Sequence, residues 1–114
     1  MSTAPDNGPF IEIAAADFDA EVLKSAVPVL LVIQAPWSHP CLDLEATLAE
    51  VAAKAAGKAK LLKLNADENP SLCLYYDVCS IPTLMYFVAG HLRAKVVGTA
   101  TKDSILAQLE ALTL

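Results

Sequence analysis

VPVLLVIQAPWSHPC, residues Val27 to Cys41, decides the fold. From Val27 to Ile33 every residue is apolar. A strand with one wet face alternates apolar and polar residues. An unbroken short apolar run marks a strand covered on both faces, as at the centre of a parallel or mixed sheet. Gln34 to Ser38 then reads as a loop. Pro40 follows at the first turn of a helix, where its missing N–H costs nothing. Cys41, Leu44, Leu48, Val51 and Ala55 recur at three and four residues, which predicts a helix from about His39 to Ala56 with one apolar stripe. Gly57 is its natural stop.

Upstream of this unit, Phe10 to Ile13 has strand character, and Asp17 is a candidate N-cap. Asp19 and Glu21 then suit the first turn of a helix running to about Ser25. Downstream, Lys60 to Asn65 reads as a strand and Asn69 to Asp77 as a short helix opened by Asn69-Pro70. Thr83 to Val88 is a second strongly apolar strand, and Ala89-Gly90-His91 is a tight turn. Leu92 to Val97 then alternates Leu92, Ala94 and Val96 against Arg93, Lys95 and Val97, the pattern of an edge strand. Thr101 or Asp103 opens a last helix with Ile105, Leu106, Leu109 and Leu112 inward. The order is β-α-β-α-β-α-β-β-α. It predicts an α/β domain over residues 10–114, a central mixed sheet with helices on both faces. Met1 to Pro9 reads as a flexible lead-in.

The 114 residues suffice for one domain, and 55% apolar content supplies its core. A net charge of −5, with Lys and Arg scattered, argues against nucleic acid as a partner. No apolar run approaches the roughly 20 residues that span a membrane. No targeting segment is visible, so a soluble, cytoplasmic protein is expected. Three cysteines do not make a disulfide framework, and their spacings fit no common zinc pattern. Neither a metal nor a cofactor is expected.

Trp37-Ser38-His39-Pro40-Cys41, at the junction of buried strand and helix, resembles the Trp-Cys-Gly-Pro-Cys motif of the thioredoxin family. Ile81-Pro82-Thr83 is similar to that family's cis-proline loop. Lys63-Leu64-Asn65, Asp67, Asn69-Pro70 and Gly98 also fall where the family has like residues. The resemblance covers about Phe10 to Leu114. It implies the thioredoxin fold and thiol–disulfide exchange on protein or peptide substrates. A thioredoxin-reductase-like donor would complete the cycle. Ser38 takes the place of the family's nucleophilic cysteine, Val32 that of a buried aspartate, and Ala46 that of a helix-kinking proline.

Disulfide exchange begins with a thiolate attacking a disulfide sulfur. Serine forms no comparable anion at neutral pH and no disulfide, so Ser38 removes that step. Cys41, at the resolving position, remains without a partner in the motif. Ser38 is equally a preferred N-cap, and capping and the lost nucleophile hold together. Two origins account for it: a natural binding domain without redox turnover, or a Cys→Ser change in a Cys-His-Pro-Cys enzyme. With a cysteine at 38, His39 would stabilise its thiolate; otherwise His39 is an exposed loop residue. The resemblance implies that Trp37, Pro36, Ile81 and Pro82 form an apolar patch, with the Ile81 backbone presented to an extended peptide. Lys63 either tunes the local charge or snorkels. Cys73 reads as a small inward hydrophobe. Cys79 has Cys41 or another chain as candidate partners, with Cys73–Cys79 the remaining pairing.

Overall fold

A computed structural model describes residues 10–113. The lead-in expected over 1–9 lies outside them. The elements are β1 (Phe10–Ile13), α1 (Ala15–Phe18), a π-helical turn (Asp19–Leu23), β2 (Val29–Gln34), α2 (His39–Ala55), β3 (Lys60–Asn65), α3 (Pro70–Tyr75), β4 (Thr83–Val88), β5 (His91–Val97) and α4 (Lys102–Thr113). The five strands form one sheet in the order β1-β3-β2-β4-β5. β1, β3 and β2 are parallel, and β4 and β5 are antiparallel to their neighbours. This is the mixed sheet that the order of elements requires.

β2 is central, and its residues from Val29 to Ile33 are at most 1% exposed. Leu30 and Val32 face the α2–α4 layer, where Leu44, Leu48, Val51, Ile105 and Leu109 close the core. Val29, Leu31 and Ile33 face the other layer with Phe18, Val22, Met85 and Phe87. Each such buried aliphatic stabilises the fold by about 1.5–3 kcal/mol before entropy is counted. Tyr86, 2% exposed, lies in the α2–α4 layer, and burial pushes its phenol up to about 12. Among the described residues no helix is long and apolar enough to cross a membrane.

Several boundaries differ from expectation. Asp17 is not an N-cap: Ala14 holds that place, and Asp17, three residues on, accepts its N–H at 3.2 Å. The helix ends at Leu23 rather than Ser25, because it widens into a π turn closed by Lys24 N–H donating to Asp19 O. β2 starts at Val29, not Val27. Ser25 Oγ donates to Val27 O and accepts from Val27 N–H, holding that residue in a bend. Gln34, expected in the loop, extends the strand by pairing with Asn65. α2 stops at Ala55 rather than Ala56, with Gly57 at φ +84° just beyond. α3 covers only Pro70–Tyr75 of the helix expected to Asp77, whose φ of +57° is not helical. β5 begins at His91. Its alternation fails at the start: a bulge opposite Tyr86/Phe87 leaves Leu92 38% exposed. Thr101, not Asp103, caps α4 through Ser104 N–H.

Candidate functional site

The site forms where the chain leaves the sheet. β2 ends at Gln34, and β4, antiparallel to it, begins at Thr83 opposite Ile33. The loop after β2 and the loop before β4 therefore open on the same edge of the sheet. The first carries Pro36 and Trp37, both exposed, and the second carries Ile81, half-buried, and Pro82. Pro82 is buried, so it adds little to the exposed apolar surface expected there. The Ile81–Pro82 peptide bond is cis.

Ser38 stands between the patch and α2 as the N-cap, with extended backbone at φ −90° and ψ 117°. It is 5% exposed, and its Oγ accepts the Cys41 N–H at 3.3 Å. Its carbonyl accepts the Leu42 N–H at 3.1 Å, the first bond of the helix. His39 and Pro40 are exposed in the first turn. Cys41 lies inward, 2% exposed, with a free thiol. Ser38 and Cys41 thus lie three residues apart at the start of α2, joined by this capping bond.

Trp37 is 65% exposed but fixed: its Nε1–H donates to Asp67 Oδ2 at 2.6 Å. Asp67 is itself placed by Asn65, whose Oδ1 accepts the N–H of Asp67 and of Glu68. Asn69 ties this turn to the rest of the layer, donating to Asn65 O and accepting from Ala15 N–H. Asp67 fell within the sequence resemblance, yet nothing in the sequence showed it holding the indole.

Behind Cys41 is a small polar cavity of about 220 Å³, lined also by Glu12, Gln34, Glu45, Lys63 and Asn65. Glu12, Lys63 and Val32 are in register on adjacent strands, which puts Lys63 under the first turns of α2. Lys63 turns inward to an ion pair with Glu45 rather than out to solvent. Gln34 Oε1 is buried here with no hydrogen-bond partner. Glu45 was not a candidate from the sequence. Its only signal was its place one turn after Cys41 on the same helix face.

A separate groove of about 390 Å³ is lined by Trp37 together with Ile81, Leu74, Cys73 and Cys79. Leu74 and Tyr75, on α3, are 84% and 79% exposed. Cys79 is exposed and Cys73 half-buried, and both are free thiols. Burial, and then the Asp67 carboxylate, push the Cys73 thiol up. The structure therefore separates the three cysteines. Cys41 faces the polar cavity, and the other two face the groove.

The Thioredoxin family model matches residues 9–111. A thioredoxin of Synechocystis sp. is 39% identical over 99 residues, covering 87% of this chain and 92% of that protein. Thioredoxin 1 of Nostoc sp. is 40% identical with the same coverage. A thioredoxin of Pseudomonas aeruginosa is 41% identical over 101 residues, 89% of this chain and 94% of its own.

Proposed function

Since this chain belongs to the thioredoxin family, we propose that it docks disulfide- or thiol-bearing proteins on the Trp37–Pro82 face, as an oxidoreductase of that family does, while Ser38 leaves its motif unable to complete dithiol exchange. One observation carries this reading. Ser38 caps the 17-residue helix α2, where the helix dipole and free N–H groups would stabilise a thiolate, and Cys41 is one turn inward. The place for the nucleophile is built, and a hydroxyl fills it. His39, at the first position of the helix, would add charge stabilisation to a thiolate at 38. Ile81 would offer its backbone to an extended segment of the substrate, a strand-addition contact. A thioredoxin-reductase-like protein is the natural donor for such a cycle.

A second reading, a redox-silent binding module, draws on two features. Val32 is wholly buried among aliphatic residues where the family has a carboxylate, and Ser38 is used structurally as a cap. Both readings use the same docking face and differ at position 38.

The deciding experiment is Ser38→Cys in a Cys73→Ser, Cys79→Ser background, so that Cys41 is the only other thiol. The assay is reduction of a disulfide-bonded protein with a small thiol as reductant. The oxidoreductase reading expects turnover in the variant and none in its Ser38 parent. A folded but inert variant rejects that reading in favour of the binding module.

A further inference from the structure

We propose that Cys79 and Cys73 form a second dithiol site, able to reduce disulfides presented in the Trp37 groove without a thiol at position 38. Both cysteines line that groove of about 390 Å³, beside Trp37, Leu74 and Ile81. Their exposures divide as attack and resolution require: Cys79 is exposed and Cys73 half-buried. Cys41 is excluded from this pair because it lines a separate cavity with Glu45 and Lys63 and not this groove.

The backbone brings the two together. Val78 N–H donates to Cys73 O at 2.7 Å, so the chain after α3 folds back and sets Cys79 next to the helix that carries Cys73. Asp77, at φ +57°, makes the reversal. From β5 the Lys95 ammonium donates to Tyr76 O at 3.2 Å and Asp77 O at 2.9 Å, which fixes the turn to the sheet. The Cys79 thiol faces Asp77 Oδ1 at 3.8 Å, an acceptor for its proton. Burial and then Asp67 push the Cys73 thiol up, and Cys79 is the more exposed of the two, so the first attack belongs to Cys79. Leu74, which lines the groove and is 84% exposed, adds apolar surface to it.

The chemistry balances without another group. Cys79, as the thiolate, attacks one sulfur of the substrate disulfide; its proton has gone to solvent, and the leaving thiolate takes one from solvent. A mixed disulfide remains. Cys73 sulfur then attacks the Cys79 sulfur and forms the Cys73–Cys79 bond, and the second substrate thiol departs with the Cys73 proton. Two electrons have moved from the pair to the substrate. Regeneration requires two electrons from a thiol reductant of the glutathione class.

The test uses the reduced chain with its native Ser38 and excess oxidised glutathione, followed by acid quenching, trypsin and mass spectrometry. Cys73 and Cys79 share one tryptic peptide, residues 64–93, and Cys41 lies in another. The expected product is the 64–93 peptide lighter by two hydrogen atoms. Cys73→Ser should hold one glutathione on Cys79, and Cys79→Ser should react at least about tenfold more slowly. A native-sequence peptide that stays reduced, carries glutathione on both sulfurs, or is joined to Cys41 or to a second chain overturns the proposal. Only the docking part rests on the function proposed above, and a disulfide-bonded peptide separates the two. Trp37→Ala should slow that peptide about tenfold. Equal rates for native and Trp37→Ala chains with both oxidants would remove the docking face and leave the dithiol standing.

Discussion

Removing the Ser38 hydroxyl tests whether that side chain is a structural element as well as a missing nucleophile. In Ser38→Ala the Cys41 N–H loses its acceptor at a position only 5% exposed, where water does not readily replace it. Pro40 has no N–H, so the start of α2 has few orphan donors, and this one matters more than usual. Loss of a cap costs about 0.5–2 kcal/mol, and burial places this case near about 1.5 kcal/mol. At about 2.1 cal/mol/K of unfolding entropy per residue, a domain of 114 residues should melt about 6 °C lower. Thermal denaturation followed by far-ultraviolet circular dichroism at pH 7 measures the change. Ser38→Asp should keep the cap and recover most of the loss. If Ser38→Ala melts within about 1 °C of the native chain, the hydroxyl does no structural work, and the capping account of position 38 is wrong. The same reasoning gives Ser38→Cys a stability cost, because sulfur is the weaker acceptor. Any redox gain in that variant therefore comes with a less firmly held helix start.

Two further outcomes follow from the buried layers. Val32→Asp should lower stability in urea at pH 7 by about 3–4 kcal/mol, through lost apolar burial and a desolvated carboxylate that neighbouring Lys63 only partly offsets. Burial would raise that carboxyl's folded pKa above its unfolded value, so the penalty should shrink as pH falls toward 4; a deficit that instead grows on acidification refutes the assignment. Tyr86, held up to about 12 by burial, contributes stability that is complete below pH 10 and lost as pH rises from 10 to 12. The native chain should lose about 1.4 kcal/mol per pH unit over that range relative to Tyr86→Phe, measured by urea titration, and parallel pH curves for the two chains would contradict it.

Periodic apolar spacing carried the architecture. The α2 stripe from Cys41 to Ala55 and the continuous β2 run are whole-element signals, and a shift of one residue would have exposed them. Element ends were harder, because a few local hydrogen bonds set them. Val27 is as apolar as Val29, but the Ser25 hydroxyl takes up its backbone N–H and C=O, and Pro28 after it has no N–H for the ladder. Asp17 is a good capping residue by type, but it acts from inside the helix, reaching back to Ala14. In the site, Ser38, Cys41, Trp37 and Ile81-Pro82 were readable because they lie at fixed offsets along the chain. The Lys63–Glu45 pair and the Trp37–Asp67 bond join residues on separate elements, and no local pattern announces them. The gathering of Cys73 and Cys79 around one groove has the same cause. It depends on a chain reversal at Asp77 that composition does not mark.

The outer rim of β5 decides how this sheet meets its own copies. A long flat rim offers a row of unused N–H and C=O groups on which a second chain can polymerise. Here the bulge between Tyr86 and Phe87 breaks that row, and Arg93 and Lys95 add positive charge along it. Among the described residues the opposite rim is β1, Phe10–Ile13. In a chain more than half apolar, these features oppose edge-to-edge addition of strands from a second copy.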